Sequence, residues 1–150
     1  MPLRIASIES YDWTQILRES KAEGHNLVNR LLTDFRSGTN RFDALGEKLL
    51  VCLIGNSVVA SAGLNREPDK SFARAGRIRR LYVVPKYRGQ GYGRNLVEEI
   101  VALAQLHFNL LTVNVGKLDA YGFYEHLGFT RIEKTNVTHK KVLNTKAVRI

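Results

Sequence analysis

The sequence predicts a mixed α/β fold in a single domain that spans residues 1–150. Short runs rich in β-branched and aliphatic residues alternate with segments whose apolar residues recur at helical spacing. At the centre of the chain a strand-like run, a glycine-rich turn, a helical segment and another strand-like run follow one another. The length of 150 residues and the hydrophobic content of 44% are those of one ordinary domain.

The N-terminal part is predicted to contain one strand and two helices. Residues 3–8 form a short strand-like run, and apolar residues recur at helical spacing between Tyr11 and Leu32. Gly24 interrupts this pattern and divides it into two helices, because glycine is a poor helix former. Residues 36–47 are polar and contain glycine, so they are predicted to form a loop.

A β-hairpin is predicted next. Two β-rich runs, 49–55 and 58–65, flank the turn-forming pair Asn56-Ser57. Cys52 lies in the first run. Because no His or Asp motif accompanies it, we interpret Cys52 as a buried, inert strand residue and not as a nucleophile.

The second half of the chain is predicted to continue the alternation. In order, the pattern predicts a strand at 78–84 closed by Pro85, a glycine-rich turn at 88–93, a helix, a strand at 110–115, a short helix at 118–127, and strands at 128–134 and 137–148. The helix after the turn carries an apolar side, with Glu98 and Glu99 facing outward. This strand, turn, helix and strand unit is the reason for assigning the α/β class.

The formal net charge of +9 admits nucleic acid, a membrane surface or an acidic small molecule as partner. Seven basic residues and no acidic one lie between Arg74 and Arg94, and a second basic cluster runs from Arg131 to Arg149. Since the first cluster surrounds the glycine-rich turn, it favours a local phosphate ligand over a long nucleic-acid track. A solvated basic surface without a ligand is the alternative.

The sequence also indicates the cellular compartment of the protein. No run approaches the roughly 20 apolar residues that span a bilayer, and the N-terminal segment carries charges where a signal peptide needs its apolar run. The single cysteine cannot form an internal disulfide. We therefore expect a cytoplasmic protein without a membrane partner.

The glycine-rich turn is the strongest local signal. Gly89, Gly91 and Gly93 alternate between Arg88 and Arg94, directly after a strand and before a helix. Glycines let the backbone adopt positive φ and approach a ligand, and a helix N-terminus offers unpaired N–H groups to an anion. The turn therefore fits a pyrophosphate, and a tight strand-to-helix connection is the alternative.

Two common nucleotide-binding motifs do not match this turn. A Rossmann fingerprint needs glycine three residues after Gly91, where Arg94 stands, and an acidic residue about 20 positions further on, where the sequence reads LLTVNV. A Walker A loop needs Gly-Lys followed by Ser or Thr, which the sequence lacks.

Two motifs together resemble the GNAT family of N-acetyltransferases. Residues 88–93 (RGQGYG) are similar to the family's R/Q-x-x-G-x-G/A pyrophosphate loop, and the strand LYVVP (81–85) looks like the fourth strand that precedes it. About 30 residues on, the family's A-x-x-F-Y-E-x-x-G-F pattern is present as Ala120, Phe123, Tyr124, Glu125, Gly128 and Phe129. The resemblance covers residues 76–134, whereas residues 1–75 match only in general layout.

The resemblance implies a GNAT-like acyl-CoA N-acyltransferase fold with splayed central strands. It implies acetyl-CoA as co-substrate, no metal, and direct attack by a primary amine. Backbone groups near Tyr82 and Val83 would bind pantetheine, and the Val83 N–H would polarise the thioester carbonyl. The pyrophosphate would be held by the amides of Gly89, Gln90, Gly91, Tyr92, Gly93 and Arg94. Arg88 and Arg94 would add positive charge, although either side chain could equally be solvated.

Tyr124 matches the family tyrosine that protonates the departing thiolate. An amine attacks the thioester, the tetrahedral intermediate collapses, and the sulfur leaves more readily when a nearby O–H donates to it. Core packing, with the hydroxyl satisfied by backbone, is the alternative role for Tyr124.

The sequence departs from the family pattern at two positions. Lys117 stands where the family often has a cofactor-contacting Asn, and it would either reach a phosphate or be solvated. Arg77 stands where the family often has a Glu that serves as general base. Asp34, Asp43 and Glu47 are other acidic candidates, each of which could equally be a surface charge, so the base is left unassigned.

A non-catalytic acyl-CoA-binding module of the same fold is the competing prediction. Nucleic-acid binding is not favoured, because aromatic residues do not interleave with the basic cluster as stacking platforms would. The sequence leaves open whether the chain forms a homodimer and whether the acyl group is acetyl or longer.

The acceptor amine is the least determined feature, and small-molecule, peptide and protein amines all stay open. Arg77, Arg79 and Arg80 would suit a carboxylate or phosphate on the acceptor if they point into the cleft. Strand alternation predicts Arg77 and Arg79 on one face of the strand and Arg80 on the other.

Overall fold

A computed structural model describes residues 2–144, which form one mixed sheet of seven strands with four α-helices. The strands are β1 (Leu3–Ile5), β2 (Lys48–Ile54), β3 (Ser57–Arg66), β4 (Ala75–Val83), β5 (Leu110–Val113), β6 (Thr130–Lys134) and β7 (Val137–Val142). The helices are α1 (Thr14–Ala22), α2 (Leu27–Ser37), α3 (Tyr92–Ala104) and α4 (Tyr121–His126), with 3-10 turns at Pro85–Tyr87 and Leu118–Ala120. The predicted α/β class is confirmed.

Most predicted elements are present with shifted ends. α1 and α2 are separated at Gly24 as predicted, but α2 continues to Ser37, inside the segment predicted as a loop. β4 begins at Ala75, three residues before its predicted start at Ile78, because this end of the strand pairs with a neighbour on each side. β7 ends at Val142, whereas the strand predicted for 137–148 and the basic cluster predicted up to Arg149 run on outside the described residues.

The two central strands of the sheet, β4 and β5, diverge at one end. The strand order is β1-β2-β3-β4-β5-β7-β6, and β4–β5 is the parallel pair within an otherwise antiparallel arrangement. The β4–β5 pairing extends over Ala75–Ile78, opposite Leu110–Val113. Since β4 continues to Val83 beyond this pairing, a gap opens between the two strands, as the predicted splayed fold requires.

The helices cover both faces of the sheet. Leu64 and Gly76 face Phe108, which follows α3, so α3 covers that face. On the other face Gly63 lies against the ring of Phe42, in the loop after α2. Gly63 is opposite Arg79 across the β3–β4 pair, and residues directly opposite share a face. Arg79 therefore lies on the α2 side of the sheet.

A β-bulge in β4 corrects the predicted alternation of its arginines. Ser61 pairs with Tyr82 and Gly63 pairs with Arg79, so two β4 residues oppose one β3 residue. Arg80 has a φ of 59°, and its carbonyl accepts a hydrogen bond of 3.0 Å from the hydroxyl of the buried Ser61. Because the bulge adds a residue, Arg80 turns to the same α2 side as Arg79 and pairs with Asp34 of α2. The prediction that Arg80 faces the other side is wrong.

Candidate active site

A cavity of about 1050 Å³ lies where β4 and β5 diverge. Its wall is built from the α1–α2 connection, the second half of β4, the glycine-rich turn, the start of α3, the segment after β5, and α4. Such a cavity is large enough for an extended ligand together with a second small molecule. Most of the binding and catalytic residues predicted from the two sequence motifs line this one cavity.

The glycine-rich turn forms one end of the cavity. Gly89 and Gly91 have φ values of 76° and 91°, a conformation that side-chain-bearing residues rarely adopt. Gly91 is the N-cap of α3, so the first amides of that helix open toward the cavity end. A Cβ atom on Gly93 would lie 3.3 Å from the ring of Phe123, which explains the third glycine by close packing. The turn is therefore a backbone cradle for an anion.

Nearly all of the predicted ligand-binding residues line this cavity. They are Tyr82, Val83, Arg88, Gly89, Gly91, Tyr92, Gly93, Arg94 and Lys117, together with the predicted catalytic Tyr124. Gln90 is the exception: it lies outside the lining, and its side-chain amide donates to the Lys86 carbonyl at 3.4 Å. Arg94 forms an exposed ion pair with Glu98 at 3.5 Å, so its side chain also contacts a residue on the surface of α3.

The Arg88 side chain is engaged by a residue that the sequence analysis did not consider. Its guanidinium donates to both carboxylate oxygens of Glu23, at 2.6 and 3.0 Å, and its Nε donates to the Val83 carbonyl at 2.9 Å. The Tyr82 hydroxyl donates to the same carboxylate. Arg88 therefore ties the end of α1 to the end of β4, and its side chain is not free to extend over the glycine turn.

This cluster fixes the ionisation of Glu23. Hydrogen bonds from Arg88 and then from Tyr82 lower the pKa of the Glu23 carboxyl to about 2. Burial and the adjacent carboxylate raise the pKa of the Tyr82 hydroxyl. Glu23 and His25 both line the cavity from the α1–α2 connection. Their only sequence signal is that polar, titratable residues flank the helix break at Gly24.

The backbone at the end of β4 supplies a donor to the gap. The Val84 N–H donates to the Val59 carbonyl of β3 at 2.9 Å. Successive amides of a strand point to opposite sides, so the Val83 N–H points away from β3 and toward the gap. An N–H that points into the gap is compatible with the oxyanion-donor role predicted for Val83.

Tyr124 presents its hydroxyl to the cavity from a buried ring. The residue is 5% exposed, and its ring packs on Phe123, Phe129 and His139 at centroid distances of 5.0, 5.5 and 6.4 Å. The hydroxyl makes no hydrogen bond with any of residues 2–144, although every fully buried side-chain polar atom among them has a partner. It therefore stays in contact with the cavity. Burial raises the pKa of this hydroxyl, so it holds its proton at neutral pH.

The helix that carries Tyr124 is anchored by its neighbouring residues. The Glu125 carboxylate contacts His139 Nε2 of β7 at 2.8 Å and pairs with Arg131 of β6 at 3.1 Å. These contacts, His139 first, lower the pKa of Glu125. The Tyr121 ring also stands edge-on to His139 at 4.7 Å. α4 is thus fixed to the sheet on both sides of Tyr124.

Arg77, at the usual general-base position, has a structural role. Its guanidinium donates to Glu67 at 2.8 Å and to the Asn136 carbonyl at 2.7 Å. The fully buried Glu67 carboxylate also accepts a hydrogen bond from Thr112 of β5 at 2.5 Å. This network joins β4, β5 and the β6–β7 turn at the closed end of the gap.

The other acidic candidates for the base do not line the cavity. Asp34 pairs with Arg80, Glu47 accepts from the Arg66 amide, and Asp43 is exposed in the loop after α2. Cys52 is buried in β2, and burial raises the pKa of its thiol, in agreement with the inert strand cysteine predicted from the sequence. Within residues 2–144, no group of three or more metal-ligating side chains occurs and no helix is long and apolar enough to cross a membrane.

Comparison with known proteins points to one family. The family model described as the GNAT acetyltransferase domain matches residues 46–131. An uncharacterized N-acetyltransferase of Staphylococcus aureus is 33% identical over 70 residues, which cover 47% of this chain and 44% of that relative. This chain therefore aligns with less than half the length of that curated relative.

Solved structures agree over nearly the whole chain. A protein from Exiguobacterium sp., classed as an acetyltransferase, is 33% identical, with a TM-score of 0.85 over 95% of this chain and 92% of that one. A GNAT-family acetyltransferase from Staphylococcus aureus has a TM-score of 0.74 at 16% identity, over 96% of this chain and 100% of that one. At that lower identity the second match supports the fold alone.

Proposed function

Because this chain belongs to the GNAT acetyltransferase family, we propose that it transfers an acetyl group from acetyl-CoA to a primary amine. The observation that carries the proposal is that three features share one cavity. These are the gap between β4 and β5, the glycine cradle at its end, and the hydroxyl of Tyr124, which has no hydrogen-bond partner among residues 2–144. An extended thioester with a pyrophosphate at its far end fits this combination.

The cofactor half of the cavity would bind acetyl-CoA mainly through backbone. The amides of the glycine turn and the first turn of α3 suit the pyrophosphate, because they are positively polarised and uncovered. Lys117 lines the same cavity on an exposed segment and can add charge to a phosphate. Pantetheine would lie along the unpaired edge of β4, near Tyr82 and Val83, as an added strand does.

The chemistry would follow from the groups at the gap. The amine nitrogen attacks the thioester carbonyl carbon, and the Val83 N–H stabilises the oxyanion that forms. When the intermediate collapses, the carbon–sulfur bond breaks and Tyr124 gives its proton to the departing thiolate. Burial keeps the Tyr124 hydroxyl protonated at neutral pH, as this role requires.

The attacking amine must also lose a proton, and we assign the general-base role to His25. Arg77 cannot accept a proton, and Glu23 is a weak base because its contacts with Arg88 and Tyr82 lower its pKa to about 2. His25 is half-buried, lines the cavity and stacks edge-on against Tyr82 at 5.8 Å. An imidazole nitrogen there can take the proton as the new bond forms.

A non-catalytic acyl-CoA-binding module is the alternative, and the experiment must distinguish it from an enzyme. The test measures thiol release from acetyl-CoA with a panel of primary amines, alongside acetyl-CoA affinity by calorimetry. Catalysis predicts amine-dependent thiol release and an acetylated product by mass spectrometry. Acetyl-CoA binding with no thiol release on any amine would contradict the enzyme and support the module.

Location and partners follow from the same proposal. Because the proposed co-substrate, acetyl-CoA, is a metabolite of the cytoplasm, we propose that the enzyme is cytoplasmic. The positive potential around the glycine-rich turn would favour the phosphates of acetyl-CoA over nucleic acid.

A further inference from the structure

The end of the cavity opposite the glycine turn carries a concentration of positive charge. Arg77, Arg79 and Arg80 of β4 line it, and Arg30 of α2 lines it from the facing helix. Arg30 was not singled out by any sequence motif, because it lies 47 residues or more from the other three. This basic patch, defined as Arg30, Arg79 and Arg80, lies on the α2 side of the sheet.

The β4 bulge brings the patch together. Without the extra residue, Arg80 would follow strand alternation to the α3 side of the sheet. With Arg80 at a φ of 59°, its side chain reaches the α2 side and is only 11% exposed. A non-glycine residue in this conformation is strained, and the Ser61 hydroxyl holds its carbonyl in place. The fold thus keeps two consecutive arginines on one side of the strand at a cost in backbone energy.

The carboxylates near the patch do not balance its charge. Arg77 is paired with Glu67 at 2.8 Å, and Arg80 is paired with Asp34 at the longer distance of 3.7 Å. Within residues 2–144, Arg30 and Arg79 form no ion pair with a carboxylate. Burial lowers the pKa of both Arg79 and Arg80, and nearby arginines, Arg30 among them, lower it further. The carboxylates Glu67 and Glu47 near Arg79, and Asp34 near Arg80, offset this only in part. A half-buried arginine without a counter-ion is unfavourable, and a bound anion would relieve it.

We infer that the acceptor of the proposed reaction is a small amine that carries a carboxylate or phosphate, bound through that anion by Arg30 and Arg79 with Arg80 beside them. The inference rests on the proposed acetyl transfer and adds the chemical class of the acceptor. The anion is held at the patch, and the amine end of the same molecule extends toward the thioester near Val83. Neutral amines and polyamines lack the group that the patch recognises.

Matched acceptor pairs test the inference. Each pair shares the amine and differs in the anion: amino acids with their amides, β-alanine with β-alaninamide, and O-phosphoethanolamine with ethanolamine. For at least one pair, we expect kcat/KM to be about 10- to 100-fold higher for the anionic member, the range that one hydrogen bond to a charged group supplies. The carboxylate and phosphate pairs also show which anion is preferred.

Variants assign the effect to the patch. Arg30→Gln changes an exposed side chain and should fold, whereas Arg79→Gln changes a half-buried one. Each should raise KM for the anionic acceptor at least about tenfold and leave the neutral partner unchanged. Arg18→Gln changes an exposed residue of α1 outside the cavity lining, so it removes the same charge and should leave the KM of both acceptors unchanged.

The outcomes separate this inference from the proposed function. Equal kcat/KM for every anionic and neutral pair, with turnover intact, would overturn the inference alone. A loss of acetyl-CoA affinity in Arg30→Gln and Arg79→Gln, with no change in acceptor KM, would also overturn it by assigning the patch to acetyl-CoA. Absence of thiol release on every amine, despite acetyl-CoA binding, would instead contradict the proposed function.

Discussion

Replacing Tyr124 by phenylalanine removes one hydroxyl oxygen from the cavity and leaves the aromatic ring in place. The ring keeps its contacts with Phe123, Phe129 and His139. The lost hydroxyl has no hydrogen-bond partner among residues 2–144, so no buried donor or acceptor is left unsatisfied. We therefore expect the free energy of unfolding to change by less than about 1 kcal/mol.

The effect on catalysis should be much larger than the effect on stability. A positioned acid typically contributes about 10²–10⁴-fold to the rate. This range corresponds to roughly 3–5 kcal/mol of transition-state stabilisation. Acetyl-CoA affinity should stay the same, because the glycine turn and the edge of β4 would hold the cofactor through backbone groups distant from this hydroxyl.

The assay is the single-turnover rate of acetyl transfer to an amine that the wild-type protein acetylates. Single-turnover conditions are needed because slow product release can hide a loss in the chemical step. Tyr121→Phe is the matched control: it removes the same group from the same helix, at a residue outside the cavity lining. The control should transfer acetyl at the wild-type rate.

A wild-type single-turnover rate in Tyr124→Phe would refute the reasoning and leave Tyr124 as a packing residue. An equal loss in Tyr121→Phe would refute it in another way, because the effect would then come from disturbing α4. Calorimetry with acetyl-CoA and urea unfolding of both variants show whether binding and folding are intact.

Three further changes test separate parts of the site. Gly91→Asp should weaken acetyl-CoA binding by at least about tenfold. Gly91→Asn should weaken it less, because asparagine tolerates the positive φ at this position and carries no charge. Equal affinities of the two variants by calorimetry would show that the charge of the aspartate is not the cause. The contacts that lower the pKa of Glu23 to about 2, below its ordinary value of 4.5, stabilise the fold fully above pH 4.5 and lose this effect as the pH falls toward 2. Urea unfolding should thus show Glu23→Gln less stable than wild type at pH 7 and the difference shrinking by pH 3; a constant difference would contradict the assignment. His25→Gln should slow acetyl transfer by about 10²-fold, and a single-turnover rate equal to that of the wild type would exclude His25 as the base.

Much of the cavity around the glycine turn and Tyr124 could be predicted from the sequence. The glycine turn at 88–93 and the motif around Tyr124 are local patterns, and each maps onto a short segment whose backbone conformation its own residues impose. The split of α1 from α2 at Gly24 and the order of strands and helices followed from periodicity in the same way. The ends of α2 and β4 were less well predicted, because pairing and packing decide where an element stops.

The part of the cavity around Glu23 and the basic patch depended on contacts between distant segments. Arg88 binds Glu23 across 65 residues, and no local pattern links the two. Strand alternation placed Arg80 on the wrong face, since a bulge depends on how β3 pairs with β4 and not on the residues of β4 alone. Arg30 joined the patch only when α2 packed on the sheet.

The sequence by itself thus determined the family, the order of the elements, the anion cradle and the tyrosine that we propose as the acid. Each of these depends on residues close together in the chain, whose spacing survives as a readable pattern. The tertiary structure decided how these arginines are paired: Arg77 binds Glu67 and Arg80 binds Asp34, while Arg79 lies at the cavity with Arg30. Side-chain direction and ion pairing follow from strand register and helix packing, which bring together residues that the sequence keeps apart.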